Sequence, residues 1–158
     1  MNIPDTAALL DALADRGETL AVAESLTGGL LAATLVDVPG ASRVFRGGLI
    51  VYATDLKESL AGVPRQLIEA HGPVHPDVAA ALAEGVRVRC HADWGLSTTG
   101  VAGPDPQHDI APGTVYIGIA GARSRVDRLD IIGSRAAIRA ETVAAALRLL
   151  AAALGLPA

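Results

Sequence analysis

The sequence predicts an α/β fold, a three-layer α/β/α sandwich with a mixed, mostly parallel central sheet. Three observations carry this expectation. Apolar runs of strand length alternate with stretches of helical spacing, the pattern of a sheet covered on both faces. Two of those runs pass directly into glycine-rich loops, Ser25-Leu26-Thr27-Gly28-Gly29 and Thr99-Gly100-Val101-Ala102-Gly103. A late pair of β-rich runs flanks the turn Gly121-Ala122-Arg123-Ser124, which adds an antiparallel hairpin.

The elements follow in order. Residues 6–15 alternate apolar and polar side chains at helical spacing between Pro4-Asp5 and Gly17, proline before a helix and glycine after it. Residues 19–23 form a short apolar strand that runs into Glu24-Ser25, and residues 30–36 resume as a helix rich in Ala and Leu. Pro39-Gly40 breaks the pattern, and Gly48-Leu49-Ile50-Val51-Tyr52 predicts a second strand. Short helices are expected near 55–60 and 64–71, closed by Gly62 and Gly72, and Pro76 opens a longer one over 77–89. Residues 93–99 read as a strand. The stretch 105–113, rich in Pro and Asp, reads as a long loop of the functional kind. Residues 114–120 and 126–132 supply the hairpin, and the last helix spans 135–154 with Val143, Leu147, Leu150 and Leu154 on its core face.

A chain of 158 residues predicts one domain over 1–158, large enough to be stable without disulfides or a structural metal. Hydrophobic residues make up 51% and charged residues 19%, which excludes a disordered, solvating chain. Aromatic residues at 3% and a net charge of −4 leave neither stacking platforms nor a basic stripe, so nucleic acid is not an expected partner. The single Cys90 cannot form an intramolecular disulfide, no basic-then-apolar leader opens the sequence, and the most apolar late stretch is interrupted by Arg148. A cytoplasmic protein without membrane contact is the expectation. Cys90 itself is expected in the core.

Chemistry concentrates at Ser25, where a strand gives way to a helix at the sheet edge that binds ligands in open α/β folds. Gly28-Gly29 admits close backbone approach, and the amides of the helix start favour an anion, a phosphate or an oxyanion; Ser25 or Thr27 can equally serve as a plain helix cap. A serine hydroxyl needs a base. Lys57 is the only lysine in the chain, and a lysine can serve where an arginine, always protonated, cannot. Tyr52, five residues before it, can orient it or shuttle a proton. The rival arrangement is Ser-His-Asp through His108-Asp109, although no Gly-x-Ser-x-Gly elbow surrounds Ser25. Asp105, His108 and Asp109 form a weak metal-ligand pattern, while His71, His75 and His91 sit where capping or surface roles are usual. Thr99 and Gly100 open the second loop at what the topology makes the same sheet edge. Arg135 and Arg139, one turn apart at the start of the last helix, form a candidate phosphate clamp.

Taken together, the ordered set Glu24-Ser25-Leu26-Thr27-Gly28-Gly29, Val38-Pro39-Gly40, Phe45-Arg46-Gly47-Gly48, Tyr52 with Lys57, Leu60-Ala61-Gly62-Val63-Pro64, Thr99 to Pro104, Gly113-Thr114-Val115 and Arg135 with Ile138-Arg139 resembles the CinA C-terminal domain family. Enzymatic members of that family are nicotinamide-nucleotide amidases. The resemblance implies hydrolysis of the carboxamide of nicotinamide mononucleotide to the nicotinic acid nucleotide and ammonia, without metal or organic cofactor. It implies Ser25 as nucleophile, Lys57 as base with Tyr52 assisting, Thr99 as a polar contact, Arg139 on the substrate phosphate, and Gly28, Gly29 and Gly100 lining the pocket. A homo-oligomer is the expected assembly. The alternative is a non-catalytic nucleotide-binding or interaction module of the competence/damage-inducible kind. Many relatives carry a second, N-terminal domain, for which this chain, opening on its first helix, is expected to leave no room.

Overall fold

The computed structural model describes residues 4–157, and these form six α-helices and five strands in one sheet. Helix α1 (Thr6–Arg16) starts at Asp5, whose carboxylate accepts the amides of Ala7 and Ala8, and stops at Gly17 in the left-handed conformation. Strand β1 (Leu20–Glu24) is buried along its whole length and leads to α2 (Leu30–Val36). A 3-10 turn (Ala41–Arg43) precedes β2 (Phe45–Ile50), followed by α3 (Thr54–Ser59), α4 (Arg65–His71) and α5 (Pro76–Arg89). The remainder is β3 (Trp94–Gly100), β4 (Thr114–Ala120), β5 (Arg125–Asp130) and α6 (Arg135–Leu154).

The strand order is β2-β1-β3-β4-β5. β1 pairs in parallel with β2 and β3, and β4 is antiparallel to both its neighbours. Four strands therefore run one way and β4 the other. Period-2 alternation divides the core between the two faces. Leu20, Val22 and Leu96 meet α1, α2 and α6 in the larger cluster, whereas Ala21 and Ala23 meet α5 and the short helices in the smaller one. The predicted stripe of α6, Val143, Leu147, Leu150 and Leu154, is buried throughout.

Two strands lie differently from their sequence reading. β2 covers residues 45–50 rather than 48–52, because the sheet accepts Gly47, at a φ of +151° that favours glycine, and Gly48, where a bulkier residue would collide: a Cβ on Gly48 would stand 2.8 Å from Val22 Cγ2. The register slips between Leu20 and Ala21, and beyond Ile50 the Val51 N–H still donates to Glu24 O at 2.8 Å while the carbonyls of Val51 and Tyr52 turn away from the ladder. β5 ends at Asp130, leaving Ile132 fully exposed. Cys90 is also not a core residue. It is half-buried, as the residue that closes α5, and its carbonyl accepts from the Arg46 guanidinium.

Close packing of α5 on the sheet depends on glycines. A Cβ on Gly95 would overlap the Ala83 carbonyl oxygen of α5, and one on Gly85 would overlap that of Ala61. Gly95→Ala is expected to destabilise the fold by about 1–3 kcal/mol through overpacking, read as a lowered denaturation midpoint at unchanged slope.

Candidate active site

The carboxyl ends of β1, β2 and β3 meet at one edge of the sheet, and a cavity of about 290 Å³ opens there. Its wall includes Ser25, Tyr52, Lys57, Thr99, Gly100 and Arg135. Ser25 stands immediately beyond β1, where its own N–H donates to Thr98 O at 3.0 Å. Across from it Lys57, on α3, is only 1% exposed. The Lys57 Nζ lies 3.0 Å from Ser25 Oγ, 2.7 Å from Val51 O and 3.5 Å from Tyr52 O.

Those three contacts suit an amine that can serve as a base. A neutral amine has two hydrogens and one lone pair. The two carbonyls left free where the chain departs from β2 accept from Nζ; the protonated amine also donates to Ser25 Oγ, and once neutral it keeps a lone pair to which the Ser25 hydroxyl can donate. Burial pushes Lys57 down from 10.5 to about 8, since the charged form loses water and gains no carboxylate partner among the described residues. A serine beside a desolvated lysine can be activated as a nucleophile.

The turn after Ser25 is organised by Glu24. Its carboxylate is 1% exposed; Oε2 accepts the amides of Gly29 (3.1 Å) and Leu31 (3.0 Å), and Oε1 accepts that of Ala32 (2.8 Å). The anion expected at the start of α2 is thus supplied by the protein, and the Gly28 amide is spent on Ser25 O at 3.1 Å. No ligand phosphate or oxyanion has access to the Gly28-Gly29 donors, which corrects the expectation from sequence. Glu24 is the functional residue that the pattern failed to single out. Its signal was present: an acid ending an otherwise apolar strand, just before a helix start.

The remaining candidates divide. Thr27 is fully buried, with Oγ1 2.8 Å from Thr98 Oγ1, and neither it nor Gly28 nor Gly29 lines the cavity. Thr99 does line it, its hydroxyl donating to Pro73 O at 2.7 Å. The two arginines do not act as one clamp. Arg139 donates to Leu26 O and Thr27 O, each at 2.9 Å, and so grips the turn, whereas Arg135 stands at the mouth, donating to Gly103 O at 2.7 Å and to the Tyr52 hydroxyl at 3.2 Å. Tyr52 reaches Lys57 through its carbonyl, and its phenol is held by Arg135. His108 is outside the wall, although Asp105 and Gln107 belong to it, so no histidine competes with Lys57 for Ser25. Asp105, His108 and Asp109 form no ligand cluster. His71, His75 and Asp77 come within 4.8 Å, yet the two imidazoles stack in parallel 3.9 Å apart, so their lone pairs do not converge, and His75 Nδ1 accepts the Asp77 amide at 3.2 Å.

The fold is shared by known proteins. The model of the CinA C-terminal domain matches residues 4–154. The chain belongs to the CinA C-terminal domain family. A CinA-like protein of Frankia casuarinae is 52% identical over 143 residues, which is 90% of this chain and 33% of that protein. The chain thus spans about a third of the length of the curated relatives it matches. A competence-damaged protein (CinA) superfamily structure from Klebsiella pneumoniae superposes with a TM-score of 0.90 at 26% identity, covering 96% of this chain and 98% of that one. A competence/damage inducible protein of Agrobacterium tumefaciens gives 0.87 at 28%, covering 98% and 99%. No helix among the described residues is long and apolar enough to cross a membrane.

A lysine with pKa lowered to about 8 carries a linkage signature. Between pH 8 and 10.5 the unfolded chain binds the Lys57 proton and the folded chain has lost it, so stability rises with pH across that window. Compared with Lys57→Met, which cannot titrate, wild type is expected to gain in melting temperature from pH 8 to 10. A difference between the two that stays constant with pH would contradict a desolvated amine.

Proposed function

We propose that this protein is a nicotinamide-nucleotide amidase of the CinA C-terminal domain family, acting in the cytoplasm. It hydrolyses the carboxamide of nicotinamide mononucleotide through Ser25 and Lys57. The observation that carries the reading is Lys57 buried at 1% exposure with Nζ 3.0 Å from Ser25 Oγ. A module that only bound nucleotides would have no use for an amine desolvated against a hydroxyl.

In the first half-reaction neutral Lys57 takes the Ser25 proton as Oγ attacks the carboxamide carbon. The resulting ammonium returns a proton to the leaving nitrogen, ammonia departs, and an ester to Ser25 remains. Water, deprotonated by the same amine, attacks that ester and releases the acid. Thr99 and Gly100 form the wall beside the reacting group, and Tyr52 contributes the carbonyl that takes an amine hydrogen. Arg135, at the mouth, is the proposed partner of the substrate phosphate, because Arg139 is engaged with the turn. The chemistry assigns no step to a metal or organic cofactor.

Purified protein is expected to release ammonia from nicotinamide mononucleotide, with or without a chelator, at a rate that rises through a midpoint near pH 8. Ser25→Ala and Lys57→Arg are each expected to lower it by about 1,000-fold or more while leaving circular dichroism unchanged. Wild-type turnover in either variant would sink the mechanism. Folded, inactive wild-type protein that still binds the nucleotide would favour the binding module instead. The two arginines should separate kinetically: Arg135→Ala raises KM at similar kcat, whereas Arg139→Ala lowers the melting temperature and kcat.

A further inference from the structure

An inventory of main-chain donors around Ser25 leaves two over. From residue 25 to 33 the N–H of Ser25 goes to Thr98 O, Gly28 to Ser25 O, Leu30 to Thr27 O and Ala33 to Gly29 O, while those of Gly29, Leu31 and Ala32 go to the Glu24 carboxylate. The N–H groups of Leu26 and Thr27 have no acceptor among the described residues, although the two residues are 3% and 0% exposed. A buried, unpaired N–H costs free energy comparable to a lost hydrogen bond, and two in succession are rare. Here they directly follow a hydroxyl held by a base, and Leu26 lines the cavity.

Their peptide units are also fixed. The unit that carries the Leu26 N–H is held through Ser25 O, which accepts from Gly28, the unit that carries the Thr27 N–H is held through Leu26 O, which accepts from Arg139, and Glu24 holds the amides on the far side of the turn. Donors fixed before reaction are what stabilise charge that appears only in the transition state. We propose that the Leu26 N–H group, the one of the two that belongs to a residue lining the cavity, binds the oxyanion formed when Ser25 attacks a carbonyl carbon, and that Glu24 is the positioning residue that aims it. This assignment rests on the Ser25 nucleophile and replaces the Gly28-Gly29 donors suggested by the sequence.

The test uses pyridine-3-boronic acid, whose trigonal boron stands where the carboxamide carbon would. Ser25 Oγ bonds to boron, its proton passes to Lys57, and boron becomes a tetrahedral anion with an oxygen placed as the oxyanion would be. With full-length wild type, boron NMR reports the adduct and amide NMR reports the turn. The expected result is a downfield shift and at least about tenfold slower hydrogen exchange for Leu26. Gly29, Leu31 and Ala32, already bonded to Glu24, should keep their shifts, and Ser25→Ala should show neither adduct nor change. An adduct without movement of the Leu26 amide overturns the oxyanion assignment alone; no adduct at Ser25 overturns the nucleophile reading and this one with it.

Glu24→Gln then isolates the positioning role. It is expected to weaken the boronate by about tenfold or more while binding of the planar product, nicotinic acid mononucleotide, changes less than about twofold. Equal losses for both, or no loss for either, would reduce Glu24 to a structural cap. If the variant fails to fold, the wild-type amide measurement decides the oxyanion assignment by itself.

Discussion

Desolvation of one amine is the constraint around which this site is arranged. Water would hold Lys57 protonated, and a protonated lysine cannot take a proton from serine. Burying it under α3 costs free energy that surface lysines never incur, and no carboxylate offsets that cost among the described residues. What makes the burial tolerable is geometric. β2 stops at Ile50, and the two carbonyls that leave the ladder become acceptors for the amine. An edge strand that ended two residues later would have spent those carbonyls differently. The sheet edge and the protonation state of its only lysine are therefore one design.

A second charge is buried a few residues away by different means. Glu24 needs no cation, because three amide dipoles at the start of α2 converge on its two oxygens. Two opposite charges thus sit near the same serine without pairing with each other: burial pushes the pKa of one down to about 8, and the other is stabilised by main-chain dipoles. A direct ion pair would hold Lys57 charged and inactive. Keeping them apart preserves both functions.

Element type and order were readable from residues alone, since punctuation by Pro and Gly and the period of apolar side chains are local signals. The last helix, framed by Ser134 and Gly155, matched residue for residue. β2 did not, because a strand containing Gly47-Gly48 looks like a loop until the neighbouring Val22 is known to crowd it. At the site, Ser25 and Lys57 stood out through residue chemistry and rarity, and both face the cavity. The roles of Arg139, Thr27 and Glu24 were hidden for a common reason. Each depends on which backbone groups remain unpaired after folding, and that inventory cannot be taken before the chain closes on itself.

The grip of Arg139 on Leu26 and Thr27 joins positions 113 and 112 residues apart. During synthesis the serine and the lysine emerge early, but the arginine that squares the turn arrives with α6, the last helix of the described chain. Until it does, the turn after Ser25 lacks the side chain that holds its Leu26 and Thr27 carbonyls. The shape of the first glycine-rich loop is thus a property of the finished fold.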